Sequence, residues 1–194
     1  MKTSEVDILI IPGLTNSGPD HWQSRWQCKL PTARWVEQAD WETPLLDDWV
    51  GRTIEAVANA TRPAVIVAHS CGVSAAIHAI HKLPPGMVAG AFLVAAPDLE
   101  ANDIWPAKGG GFAPVPSQAL PFPSVLVASS SDPYCTLPRT REFALAWGST
   151  LIEAGDAGHL NTLSGHGPWP AGLMRFGWFL KQLGEGGASG TPKL

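Results

Sequence analysis

The sequence predicts an α/β protein: a mostly parallel sheet of about six strands with helices on both faces, three layers deep. Three observations carry this. Short runs rich in Val, Ile and Leu recur along the chain, segments with apolar residues at helical spacing lie between them, and Gly, Pro, Asn or Asp marks most junctions. Strands alternating with helices give parallel pairing and right-handed crossovers. At 194 residues the chain fits one domain, large enough to bury about 70% of its unfolded surface.

Each element has its own signal. "VDILIIPG" (6–13) is a near-continuous β-branched and Leu run ending at Pro12-Gly13, the pattern of a strand covered on both faces. "DHWQSRWQCKL" (20–30) follows Gly18-Pro19 and reads as a short helix, with Asp20 as N-cap and Trp22 and Trp26 four residues apart. "ARWVEQ" (33–38) is a second, weaker strand. In "LLDDWVGRTIEAVANAT" (45–61), Leu46, Trp49, Val50, Ile54 and Val57 form one helical stripe. "AVIVAH" (64–69) is the third strand and "GVSAAIHAIHKL" (72–83) the helix after it. "MVAGAFLVAAP" (87–97) and "SVLVASSS" (124–131) are the fourth and fifth strands. "RTREFALAWG" (139–148) is a helix, "STLIEAG" (149–155) the last strand and "AGLMRFGWFLKQL" (171–183) the terminal helix. Residues 1–183 make up the predicted domain. "GEGGASGTPKL" (184–194) has no apolar anchor and is expected to be a flexible tail.

In such sheets ligands sit beyond the carboxyl ends of the strands, which directs attention to the segments just after each one. In "AHSCG" a serine stands where the third strand turns into its helix. A turn that tight requires small residues two before and two after the serine, here Ala68 and Gly72. The following helix offers free N–H groups and the positive end of its dipole. By itself Ser70 could be an ordinary N-cap. A serine nucleophile also needs an imidazole to take its proton and a carboxylate to orient that ring. "SSSDPYC" supplies Asp132 after the fifth strand and "GDAGHLN" supplies His159 after the last. Serine, acid and base in this chain order is the order of α/β hydrolases.

The rivals have plainer roles. His166 in "SGHGPW" lies further from a strand end, and Asp98 in "VAAPDLE" suits a cap. Asp156 suits an Asx turn. Strand alternation points His69 away from Ser70 into a packing role, while a solvated helix face accounts for His78 and His81. Cys71 falls one residue past the apex of the turn, which disfavours it as nucleophile. An oxyanion would need two backbone donors: the Cys71 N–H, and one from the loop after the first strand, with Leu14 the candidate and Thr15 or Asn16 the alternatives.

Together, "PGLTNSGPDHWQ", "HSCG", "SDPYC" and "GHLN" resemble the small serine hydrolases of the retinoblastoma-binding protein 9 type. The likeness spans nearly the whole chain. It implies a compact α/β-hydrolase-like fold, ester or amide hydrolysis of a small acyl substrate without a cofactor, and Ser70, Asp132 and His159 as nucleophile, acid and base. Two departures stand out: Ala68 replaces the more frequent Gly, and the LxCxE signature for binding a retinoblastoma pocket is absent. A binding protein with little turnover and an acyltransferase are the alternative readings.

The chain starts on what would be the third strand of the larger fold, and no segment is long enough for a cap domain. The Gly- and Pro-rich insert "DLEANDIWPAKGGGFAPVPSQALPFP" (98–123) is expected to border the substrate site, with Trp105 and Phe112 offering apolar contact. Of nine tryptophans, Trp22 beside His21 is the candidate for lining an acyl pocket. Three scattered cysteines and no CxxC or HExxH spacing argue against a disulfide framework or a metal site, and suggest a cytosolic setting. A net charge of −4 with dispersed Lys and Arg gives nucleic acid no footing. The short, acidic N-terminal run gives neither an export signal nor a membrane span.

Overall fold

The computed structural model describes residues 1–101 and 110–186. One parallel sheet holds β1 (Asp7–Ile11), β2 (Ala33–Trp35), β3 (Ala64–His69), β4 (Val88–Val94), β5 (Ser124–Ala128) and β6 (Thr150–Glu153), in the order β2-β1-β3-β4-β5-β6. Five helices flank it: α1 (Trp22–Lys29), α2 (Leu46–Ala58), α3 (Cys71–Ile80), α4 (Leu137–Trp147) and α5 (Pro170–Gly186). The expected strands and helices are all present. The last helix runs past Leu183 to Gly186, into the segment expected to be a tail, and the Met1 amine donates to the Leu180 carbonyl at 2.6 Å, fastening the chain start to it. No helix among the described residues is long and apolar enough to cross a membrane.

Alternation along the strands builds two cores. Leu9, Ile11, Ile66, Leu93 and Leu126 face α2, α3 and α4, while Ile8, Ile10, Val65, Val67 and Phe92 face α1 and α5. With both faces covered, the central strands are apolar at every position rather than at every second one. The α1/α5 side is an aromatic layer. Trp26 meets Trp22 edge-on at 4.7 Å and stacks on Phe176 at 5.5 Å and Trp169 at 6.1 Å.

The strand order fixes where the crevice opens. From β1 the chain crosses to β2 on one side, then to β3 on the other, so the two crossovers leave the carboxyl ends of β1 and β3 uncovered between them. Gln23 bridges these ends: its amide N–H groups donate to the carbonyls of Ile11 (3.1 Å) and Val67 (3.3 Å), and its oxygen accepts from the Ser17 hydroxyl at 2.8 Å. In the β1–β3 register Ile11 lies beside Ala68, which brings Gly13 up against Ser70.

At the opposite end of β1, Asp7 is fully buried. Burial alone would push its carboxyl up. The backbone N–H of Thr61, the Arg62 side chain at 2.9 Å and the Arg62 N–H outweigh it, with Arg34 adding attraction, and hold it below the ordinary carboxylate value.

Trp26→Ala is expected to lower the unfolding free energy by about 3–5 kcal/mol, read from urea melts, because it empties the centre of the aromatic layer. The depressed acidity of Asp7 sets a sign: its stabilisation is present above the unfolded carboxylate value of about 3.9 and fades as pH falls through the lower folded value. The urea midpoint of Asp7→Asn is therefore expected to lie below that of the native chain at pH 7, and the gap to close in strongly acidic buffer.

Candidate active site

The turn at the end of β3 is strained. Ser70 has φ 54° and ψ −128°, a conformation non-glycine residues rarely adopt, and its N–H donates to the Val94 carbonyl at 3.0 Å. Close approach dictates its neighbours. A Cβ on Gly72 would sit 2.3 Å from the Pro12 carbonyl oxygen and 2.4 Å from that of Ile11; one on Gly13 would sit 2.7 Å from Ser70 Cβ. The end of β1 thus runs directly over the start of α3. Ala68, two residues before the serine, fits within the core.

Ser70, His159 and Asp132 come together here. The Ser70 hydroxyl donates to His159 Nε2 at 2.8 Å, and His159 Nδ1–H donates to the two Asp132 oxygens at 2.9 and 3.0 Å. Because the carboxylate can only accept, it fixes the ring in the tautomer whose Nε2 is free to take a proton. Both partners are shielded, with side-chain exposures of 8% and 4%, so little water competes for the pair. The Tyr134 ring lies against the imidazole at 4.6 Å, and its N–H donates to Asp132.

Two sets of contacts hold His159 in place. The serines of "SSSD" lace the Asp132 loop to the His159 loop: Ser129 Oγ accepts from Ala157 N–H and donates to the Gly155 carbonyl, and Ser131 Oγ accepts from Gly158 N–H and donates to Asp156. From the other side, two buried rings seize consecutive carbonyls. His69 Nε2–H donates to that of His159 and the Trp22 indole N–H to that of Leu160, each at 2.9 Å. The loop needs this hold because Gly158 and Leu160 both have positive φ.

A crevice of about 360 Å³ opens above Ser70. Its walls include Leu14, Asn16, His21, Tyr134, Asn161 and Leu163, and the described residues that line it include no Asp, Glu, Lys or Arg. The N–H groups of Leu14 and Cys71 have no acceptor among the described residues, whereas those of Thr15 and Asn16 are taken by the carbonyls of Trp41 and Gly13. This favours Leu14 over the alternatives as the second donor to an oxyanion. Burial pushes the Cys71 thiol far up, which removes it as a nucleophile.

Several residues lie elsewhere than expected. Asp20 does not cap α1; His21 does, its Nδ1 accepting from Gln23 N–H at 3.2 Å, while Asp20 pairs with Arg25. His69 keeps the buried packing role expected of it, against His21 and Trp22, and its ring also reaches the crevice wall. Trp22 is fully buried and lines no part of the crevice. Phe112 is drawn inward, 3% exposed and edge-on to Trp49 at 5.7 Å, with its carbonyl taken by His78 Nε2–H. His78 is accordingly half-buried rather than solvated. Trp105 lies outside the described residues. Asp156 serves Ser131 rather than an Asx turn; Asp98, as expected, holds its turn by accepting from Glu100 N–H and also faces Arg139, and His166 lies at the entry to α5 beside Ser164 and Trp169.

Comparison with known proteins fits this geometry. A YdeN-like hydrolase of Pectobacterium atrosepticum superposes with a TM-score of 0.82 at 31% identity, over 93% of this chain and 94% of that one. The ydeN gene product of B. subtilis (0.69, 17%, 90% and 98%) and Thermogutta terrifontis esterase 2 (0.66, 14%, 100% and 88%) share the fold. No curated protein sequence matches the chain. The model of the family described as Serine hydrolase matches residues 8–178, and the chain therefore belongs to that family, as a hydrolase of the α/β-hydrolase fold.

Proposed function

We propose that this hydrolase cleaves carboxylic esters of small, uncharged acyl substrates through a covalent acyl-enzyme, with Ser70, His159 and Asp132 as its triad. The observation that carries the reading is the unbroken hydrogen-bond path from the Ser70 hydroxyl through the His159 ring to Asp132. Ser70 Oγ attacks the acyl carbon as His159 Nε2 takes its proton, and Asp132 stabilises the imidazolium. The developing oxyanion lies against the N–H groups of Leu14 and Cys71, which need no reorganisation to receive it. His159 returns the proton to the departing alkoxide. Water then enters, loses a proton to His159 and attacks the acyl carbon, and the acid leaves as Ser70 regains its hydrogen.

The crevice supports the substrate class. Its volume of about 360 Å³ lies near the lower end of small-molecule sites, roughly 300–1,000 Å³, and its lining offers hydrogen bonds without formal charge.

A fluorophosphonate probe is expected to label the native chain at Ser70 and to leave Ser70→Ala unlabelled; labelling elsewhere, or none, overturns the proposal. On activated short-chain esters, Ser70→Ala is expected to lose at least about 10⁴-fold in kcat. Trp22→Phe keeps an aromatic ring but loses the N–H that holds Leu160. It is expected to lower kcat about tenfold with KM nearly unchanged, the signature of a displaced base.

A further inference from the structure

His21 is a crevice side chain that the proposed chemistry leaves unused. It is 6% exposed, its ring lines the crevice, and Nδ1 is occupied in accepting from Gln23 N–H at the start of α1. The ring proton is therefore on Nε2, which has no hydrogen-bond partner among the described residues. Burial, followed by the nearby charge of His159, pushes the ring down to about 4, so it stays neutral in ordinary buffers. The result is a fixed, uncharged donor that can only pair with an acceptor.

Its place along the crevice says which part of a substrate it meets. His69 stands between the two outer rings, 5.0 Å from His21 and 4.9 Å from His159. The leaving alcohol must lie beside His159 to receive its proton, and the carbonyl oxygen beside the Leu14 and Cys71 N–H groups. The acyl chain is then left to run past the Gly13–Gly18 segment, with which His21 shares the crevice lining.

We propose that His21 is a specificity residue whose Nε2–H donates to an acceptor oxygen carried on the acyl chain, so that the enzyme prefers alkoxy-, hydroxy- or oxo-substituted acyl groups to plain alkyl ones. The inference rests on the esterase reading above. It excludes acyl chains bearing an ammonium group, which would set one donor against another.

The test uses a nearly isosteric pair, 4-nitrophenyl methoxyacetate and 4-nitrophenyl butyrate, in which one ether oxygen replaces one methylene. The ratio of their kcat/KM values is measured for the native chain, for His21→Asn, which keeps a good helix cap but is too short to reach, and for His21→Phe, which keeps the ring. Comparing ratios between proteins cancels the different intrinsic reactivity of the esters. The ratio is expected to fall about tenfold in both variants, the worth of one hydrogen bond. An unchanged ratio in a folded His21→Asn, or an equal loss on both esters, overturns the assignment while leaving the triad intact. Failure of Ser70 to take the fluorophosphonate overturns the esterase reading itself, and His21 with it.

Discussion

The site depends on one steric constraint: the carboxyl end of β1 passes so close over the start of α3 that neither chain can carry a side chain at the crossing. Gly72 meets the carbonyls of Ile11 and Pro12, and Gly13 meets Ser70. The approach accompanies the positive-φ conformation of Ser70, whose hydroxyl meets His159, and leaves the Leu14 and Cys71 N–H groups without an acceptor among the described residues. Strain of this kind, of order 1–3 kcal/mol, persists only where the surroundings over-determine the geometry. Here they do, through parallel register with both neighbouring strands and the Gln23 amide tied across β1 and β3.

The "HWQ" triplet divides that task among three consecutive residues. His21 caps α1 and faces the crevice, Trp22 grips the Leu160 carbonyl, and Gln23 ties the strand ends. One helix start thereby registers the crevice wall, the His159 loop and the sheet against one another. The lacing serines Ser129 and Ser131 do the same between the Asp132 and His159 loops, so His159 is held through its neighbours' backbones as well as through Asp132.

Much of this was legible in the sequence, for identifiable reasons. The strands announce themselves because burial on both faces leaves only apolar residues. Ser70, Asp132 and His159 stand out because each follows a strand end, where the fold itself gathers side chains. What stayed hidden depends on local geometry. Strand alternation gives His69 its packing side against Trp22 but does not reveal that the ring also reaches the crevice wall and the His159 carbonyl. Capping rules favour Asp20 because they rank carboxylates and amides, while an imidazole nitrogen rotated beneath the helix does the work. Phe112 sits in a segment whose composition suggests an exposed lip, and only the edge of Trp49 explains why it turns inward. The repeated serines carry no signal of their own in the sequence, because their partners lie on a second loop across the gap.

The crevice walls carry neutral donors and acceptors and no ionised side chain among the described residues. An uncharged ligand feels no long-range pull there, so its capture relies on unaided diffusion and short-range fit. Changes in ionic strength then leave encounter rates untouched, in contrast to enzymes that funnel charged metabolites along field lines.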